Sequence, residues 1–301
     1  MDISKAANIV SQKLDADILF YNGDMERPYD QTVLDQCLAR SRKKNIVLIL
    51  VTGGGDAHAA YRIARCLQSQ YENFTCYVPG YCKSAGTLLV LGAHDIIFSE
   101  HGELGPLDVQ MRKKDDLFQL QSGHTVMDAL TALQNKAYLS FEETLLSIEK
   151  SSEGIITIET AAEMASKLAV GLFSPLFGQI DPLHIGEAAR ALSIANAYGA
   201  RLCSSSGNWD RGTLNKLLSG YPSHGFVIDR IEAETLFSNI RLPDDDESAL
   251  AKLLQDAART PTNRAQPVIE FLSEERKAEA STDIVDAKVV PIGQICEGAG
   301  Q

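Results

Sequence analysis

The chain has 301 residues, 45% of them hydrophobic, and a formal net charge of -12. That is enough apolar material for one sizeable core, while the excess negative charge repels a phosphate backbone or an anionic membrane and argues against nucleic acid as a partner. No basic stretch followed by an apolar one opens the chain, and no apolar run reaches the roughly 18 residues that span a bilayer. The six cysteines, Cys37, Cys66, Cys76, Cys82, Cys203 and Cys296, form no C-x-x-C pair. Several fall in apolar segments, as buried thiols of a reducing compartment do, so a soluble cytoplasmic protein is expected.

In chain order, DADILFYNG (15–23) is an apolar run closed by a turn signal and predicts a buried strand. Val33, Leu34, Cys37 and Leu38 recur at helical spacing between Tyr29 and Arg42. NIVLILVTGGG (45–55) is continuous and β-branched, the pattern of a parallel strand covered on both faces, and it ends in three glycines. Asp56 is placed to cap a helix over 57–70, and FTCYVPG predicts a third strand. KSAGTLLVL follows at once, with Ser84 at the start of a short buried helix, and then DIIFSE reads as a fourth strand. Strand and helix alternate throughout, which predicts an α/β domain.

Residues 111–128 are mostly polar and predict a solvated loop or lid, and helical patterns follow over 126–150 and 160–172. FSPLFGQIDPL (173–183) combines turn residues with large apolar groups and predicts a connection, packed either on the core or on a neighbouring subunit. Further helices are expected over 186–198 and 211–219, with CSSSGNWD as a polar turn between them. After Arg241 the composition becomes acidic and proline-punctuated. The expected division is therefore a domain over 1–241 and an acidic arm over 242–301, partly helical near 250–259 and loose toward its end.

A serine before an apolar run is most often a helix cap, so S-A-G alone does not identify a nucleophile. Two small-residue elements at strand-to-helix junctions, Gly53-Gly54-Gly55 and Ser84-Ala85-Gly86, do supply what an oxyanion hole needs, backbone N–H groups able to converge on one oxygen. His58 stands where a dinucleotide fingerprint would place its third glycine, and no G-K-[ST] follows the glycines, which excludes a P-loop. No H-E-x-x-H or Cys/His cluster suggests a metal, and no cofactor is expected.

Taken together, VTGGGDAHAAYRIA and KSAGTLLVLGAHDIIFSEHGELGPLDVQ resemble the Clp protease/crotonase superfamily. Within it, the chain is most similar to the serine dehydrogenase proteinase family, which is related to signal peptide peptidase A. The similarity runs from about Ile18 to Leu236 and includes YPSHGFVIDRIEA. It implies a Clp/crotonase-like spiral of βα units, to which the C-terminal arm is added, and a serine nucleophile at Ser84. It further implies an oxyanion hole from the N–H groups of Gly54 and Ala85, a peptide or protein substrate, and a homo-oligomer.

The base has two candidates. The resemblance implies a chain order of Ser84, Asp108, His224, in which His224 takes the serine proton and Asp108 fixes the imidazole, since a triad is defined by geometry and not by order. Relatives with a lysine base point instead to Lys136, which would have to be desolvated to act. Lys83 is adjacent to the serine and is expected to point away along the chain. The remaining histidines, His58, His94, His101, His124 and His184, read as helix-face, turn or surface residues. The leading expectation is a serine endopeptidase. The alternatives are a crotonase-like acyl-CoA enzyme using the same two amides, and a non-catalytic assembly subunit of the same fold.

Overall fold

The structure is a computed structural model that describes residues 2–107, 110–112, 120–210 and 212–275. Helix α1 (Ile3–Leu14) leads into β1 (Ala16–Asn22), α2 (Tyr29–Ala39), β2 (Asn45–Val51), α3 (Ala57–Gln70) and β3 (Asn73–Val78). The next elements are short: β4 (Tyr81–Cys82), α4 (Ala85–Val90), β5 (Asp95–Phe98), β6 (Glu103–Leu104), and the pair β7 (Gln110–Arg112) and β8 (Leu120–Ser122). Long helices follow, α5 (Gly123–Ser152), α6 (Ile158–Phe177) and α7 (Pro182–Ser206). The chain closes with α8 (Thr213–Ser219), α9 (Arg230–Glu234), β9 (Ile240–Arg241), α10 (Asp245–Leu254) and β10 (Val268–Phe271).

Six strands form the main sheet in the order β10-β1-β2-β3-β5-β9. All neighbours are parallel except β10, which pairs antiparallel with β1. Successive side chains of a strand point to opposite faces, so a strand buried on both sides must be apolar at every position. Strand β2 shows this directly. Ile46, Leu48 and Leu50 enter one core, with Val33 of α2, Ile63 and Leu67 of α3 and the apolar residues of α4, whereas Val47, Ile49 and Val51 enter a second core with α1 and α10. The α/β architecture read from the alternating elements is the one observed.

The helix starts follow their caps. The Asp56 carboxylate accepts the His58 N–H at 2.7 Å, as expected for the start of α3. Two connections are more helical than their composition predicts. FSPLF continues α6 to Phe177 with Pro175 inside it. CSSS belongs to α7, which ends at Gly207 in the left-handed conformation that a Cβ disfavours.

The stretch after Arg241 is packed on the sheet over its described part. Its acidic run is a helix start: Asp244 caps α10 and forms a capping box with Glu247. β10 then lies along β1, with Leu19 opposite Phe271, and the Arg40 guanidinium sits 4.3 Å from the centre of the Phe271 ring. The expected looseness toward the C-terminus concerns residues 276–301, which lie outside the described residues.

Candidate active site

The site is built where β2 ends. Thr52 continues the strand: its N–H donates to the Tyr81 carbonyl at 2.9 Å, and its carbonyl accepts the Lys83 N–H at 3.0 Å. This parallel pairing sets the segment that carries Ser84 in register with the glycines that follow Thr52. Gly54 and Gly55 have φ of +116° and +128°, a region that L side chains rarely adopt. A Cβ on Gly55 would lie 2.2 Å from the Met25 carbonyl oxygen, and a Cβ on Gly54 would lie 2.8 Å from the Ser84 Cβ and 3.4 Å from the Ala85 nitrogen. Only bare backbone allows this approach. The sequence therefore uses glycine to bring the end of β2 against the start of α4.

Ser84 itself has φ 51° and ψ -111°, one of a few non-glycine residues at positive φ. It occupies the N-cap position of α4, yet its side chain does not cap the helix. The helix-cap reading of this serine is thereby removed. Holding a side-chain-bearing residue at such dihedrals costs about 1–3 kcal/mol, and surrounding structure must enforce it. Here the enforcement comes from the Thr52 pairing on one side and from the bond of the Gly86 N–H to the Lys83 carbonyl, at 2.8 Å, on the other. Gly86 also has no room for a Cβ, which would meet the Thr52 methyl at 2.5 Å and the Cys82 sulfur at 2.8 Å. These contacts explain why the third residue of S-A-G is glycine.

The N–H of Ala85 opens α4, and a helix leaves its first N–H groups without intrahelical acceptors. The Gly54 N–H donates to the Thr52 hydroxyl at 3.0 Å. The Thr52 hydroxyl is thus the acceptor of this N–H, a contact that its place before the glycines did not suggest.

Two further segments converge on the elbow. β6 pairs parallel with β4, and the Gly105 carbonyl accepts from the Thr87 hydroxyl of α4 at 2.8 Å. The LGPLD stretch is thus pinned beside the serine helix as far as Leu107, and Asp108 lies outside the described residues. Leu104 and Ile228 exchange both backbone bonds, at 2.9 and 3.0 Å, which joins LGPLD to the PSHGFVID stretch that carries the half-buried His224. Lys136 stands exposed on α5, a helix that packs against α6, α7 and β8.

Lys83 departs from its expectation. It is buried, at 3% exposure, and turns back across the site. Its ammonium lies 2.9 Å from the Leu104 carbonyl, 3.3 Å from the Glu103 carboxylate and 3.4 Å from the Phe226 carbonyl. Of the histidines given structural readings, His58 exchanges a hydrogen bond with Tyr198 at 2.8 Å on the protein surface, and the His94 ring accepts the Phe74 N–H at 3.0 Å. Among the described residues, no group of three or more His, Cys, Asp or Glu could hold a metal ion, and no helix is long and apolar enough to cross a membrane.

Residues 29–178, about half of the chain, match the family model of the ClpP-like SDH-type serine proteinases. The chain belongs to this family. The matched region contains β2, the glycine turn, the Ser84 elbow and LGPLD. Among curated proteins of Methanocaldococcus jannaschii, the uncharacterized protein MJ1495 is 32% identical over 136 residues, covering 43% of this chain and 46% of that protein. The uncharacterized protein MJ0137 is 38% identical over 81 residues, covering 27% and 28% respectively. The chain thus spans less than half the length of these relatives.

Solved structures of the 1510-N membrane-bound stomatin-specific protease are also similar. A serine-to-alanine mutant is 18% identical, with 50% of this chain and 68% of that chain covered at a TM-score of 0.30. A lysine-to-alanine mutant in complex with a substrate peptide is 15% identical, with 89% and 93% covered at a TM-score of 0.46.

Proposed function

We propose that this SDH-type proteinase is an endopeptidase that cleaves peptide bonds through an acyl-enzyme at Ser84. The observation that carries the reading is the elbow itself: a strained, non-capping serine held in contact with the Gly54 backbone and followed at once by the first N–H of α4. Strain of this kind is retained where a reactive side chain must be presented.

In the proposed reaction the Ser84 Oγ adds to the scissile carbonyl carbon while its proton passes to the His224 imidazole. The carbonyl electron pair moves onto oxygen, which accepts the N–H groups of Ala85 and Gly54, the latter in exchange for the Thr52 hydroxyl. Collapse breaks the C–N bond, and the leaving amine takes the proton from His224. Water, deprotonated by the same imidazole, then hydrolyses the ester and restores Ser84. Asp108 orients the imidazole and stabilises its charged form. His224 is preferred to Lys136 because its segment is bonded to LGPLD beside the elbow, whereas Lys136 is exposed on α5.

The substrate is an extended peptide or protein, and the working form is a homo-oligomer, which would cover apolar side chains such as Leu168, Leu172 and Leu183 left exposed on the long helices. The buried thiols of Cys37, Cys76, Cys82 and Cys203 support a cytoplasmic setting. The test is labelling by a fluorophosphonate together with hydrolysis of fluorescein-labelled casein. Both are expected in the wild type and absent in Ser84→Ala. Casein hydrolysis that survives Ser84→Ala would overturn the assignment. Folded protein with neither signal, but with saturable acyl-CoA binding, would favour the crotonase-like alternative.

A further inference from the structure

We infer that Lys83 is a positioning residue of the reaction, whose ammonium holds the segment bearing His224 against the elbow bearing Ser84. The inference rests on the peptidase reading of Ser84 and His224. It starts from burial: an ammonium taken out of water must be paired and hydrogen-bonded. Lys83 meets this need with one group from each of three neighbouring residues, the Glu103 carboxylate, the Leu104 carbonyl and the Phe226 carbonyl. The first two belong to β6, which leads into LGPLD, and the third lies two residues from His224.

The anchor at the other end of the side chain is equally defined. The Lys83 N–H donates to Thr52, its carbonyl accepts the Gly86 N–H, and the next residue is Ser84. Between the two ends the aliphatic stem passes over Gly105, where a Cβ would lie 2.7 Å from the Lys83 Cδ. The glycine of LGPLD is therefore the space through which the lysine reaches. The Tyr81 ring, 5.4 Å from the ammonium, closes another side. An amine tied this way has its donors committed to acceptors, so its part is to set where the His224 segment stands and not to move a proton.

The experiment counts active sites by fluorophosphonate titration and measures casein turnover per titrated site. In Lys83→Met, kcat per site is expected to fall at least about tenfold with KM within about twofold, the pattern of an interaction felt in the transition state. Lys83→Arg, which restores donors on a long stem, is expected to recover part of the loss. Because Lys83→Met also leaves the Glu103 carboxylate without this ammonium, Gly105→Ala provides a second route: it keeps the charge, crowds the stem and is expected to lower kcat per site in the same way. Wild-type turnover per titrated site in both Lys83→Met and Gly105→Ala overturns the positioning role and leaves the nucleophile intact. A wild type that cleaves casein without reacting at Ser84 overturns the peptidase reading itself, so the two failures are distinguishable.

Discussion

Leu48 and Leu168 are the same side chain in opposite regions, 0% and 48% exposed. Leu48 sits in β2, where alternate residues from Ile46 to Val51 enter two cores and none of these six faces water. Leu168 begins the second half of α6, where no charged residue occurs from 168 to 180 and yet Val170, Leu172 and Leu176 are exposed as well. A helix that is apolar all round is normally buried. Among the described residues, the sheet therefore satisfies its hydrophobic pattern and α6 does not. The difference teaches that the elbow owes its geometry to the sheet, whereas the apolar side chains of the long helices are left uncovered by the described residues.

If so, equal changes in the two regions must have unequal effects. Leu48→Ala is expected to lose about 2–5 kcal/mol of stability, through lost burial and the cavity left behind, read by chemical denaturation. Gly54→Ala comes next: its Cβ would collide with Ser84 and its φ of +116° would be strained, so casein hydrolysis should fall by about 100-fold, the scale of disturbing one oxyanion donor. Asp244→Ala should cost about 1 kcal/mol as a lost helix cap.

That last contribution has a pH signature. Burial raises the Asp244 carboxyl, but the Glu247 and Asp246 N–H groups and Lys13 favour its anion and hold it below the usual value. A depressed acid stabilises the fold fully above its unfolded pKa of about 3.9 and loses that contribution as pH falls through its lower folded value. The stability gap between wild type and Asp244→Ala should therefore narrow on acidification below about pH 4. Smallest of all, Leu168→Ser should change monomer stability by no more than about 0.5 kcal/mol. A loss as large as that of Leu48→Ala would end the distinction between the two regions.

What the sequence made legible follows the same division. The central strands were readable because burial on two faces forces an unbroken apolar run, and the start of α3 was readable because Asp56 caps it by a local bond. The elbow was readable as two small-residue elements at strand ends. Its strain was not, since nothing local in K-S-A-G forces Ser84 to positive φ; the pairing of Thr52 with the segment around Cys82 does so across the sheet. Lys83 was misjudged for a similar reason. Adjacency along the chain says which way a residue leaves the backbone, whereas its acceptors lie 21 and 143 residues away. The helical run through Pro175 was hidden because composition reads proline as a break, a local prior that the surrounding helix overrides.

The antiparallel edge of the sheet carries a consequence for synthesis. Strand β1 leaves the ribosome well before β10, the last described strand, yet they pair from Leu19–Phe271 to Asn22–Val268, and the Leu272 N–H reaches the Ile18 carbonyl at 2.8 Å. Until translation has passed that point, one side of an apolar strand has no hydrogen-bonding neighbour and can recruit the edge of another nascent chain. Pairing across so long a sequence separation is also slow to form. Elongation rate between the codons for β1 and those for β10, and chaperones that shield β1 meanwhile, should therefore govern how much of the proteinase reaches its native sheet.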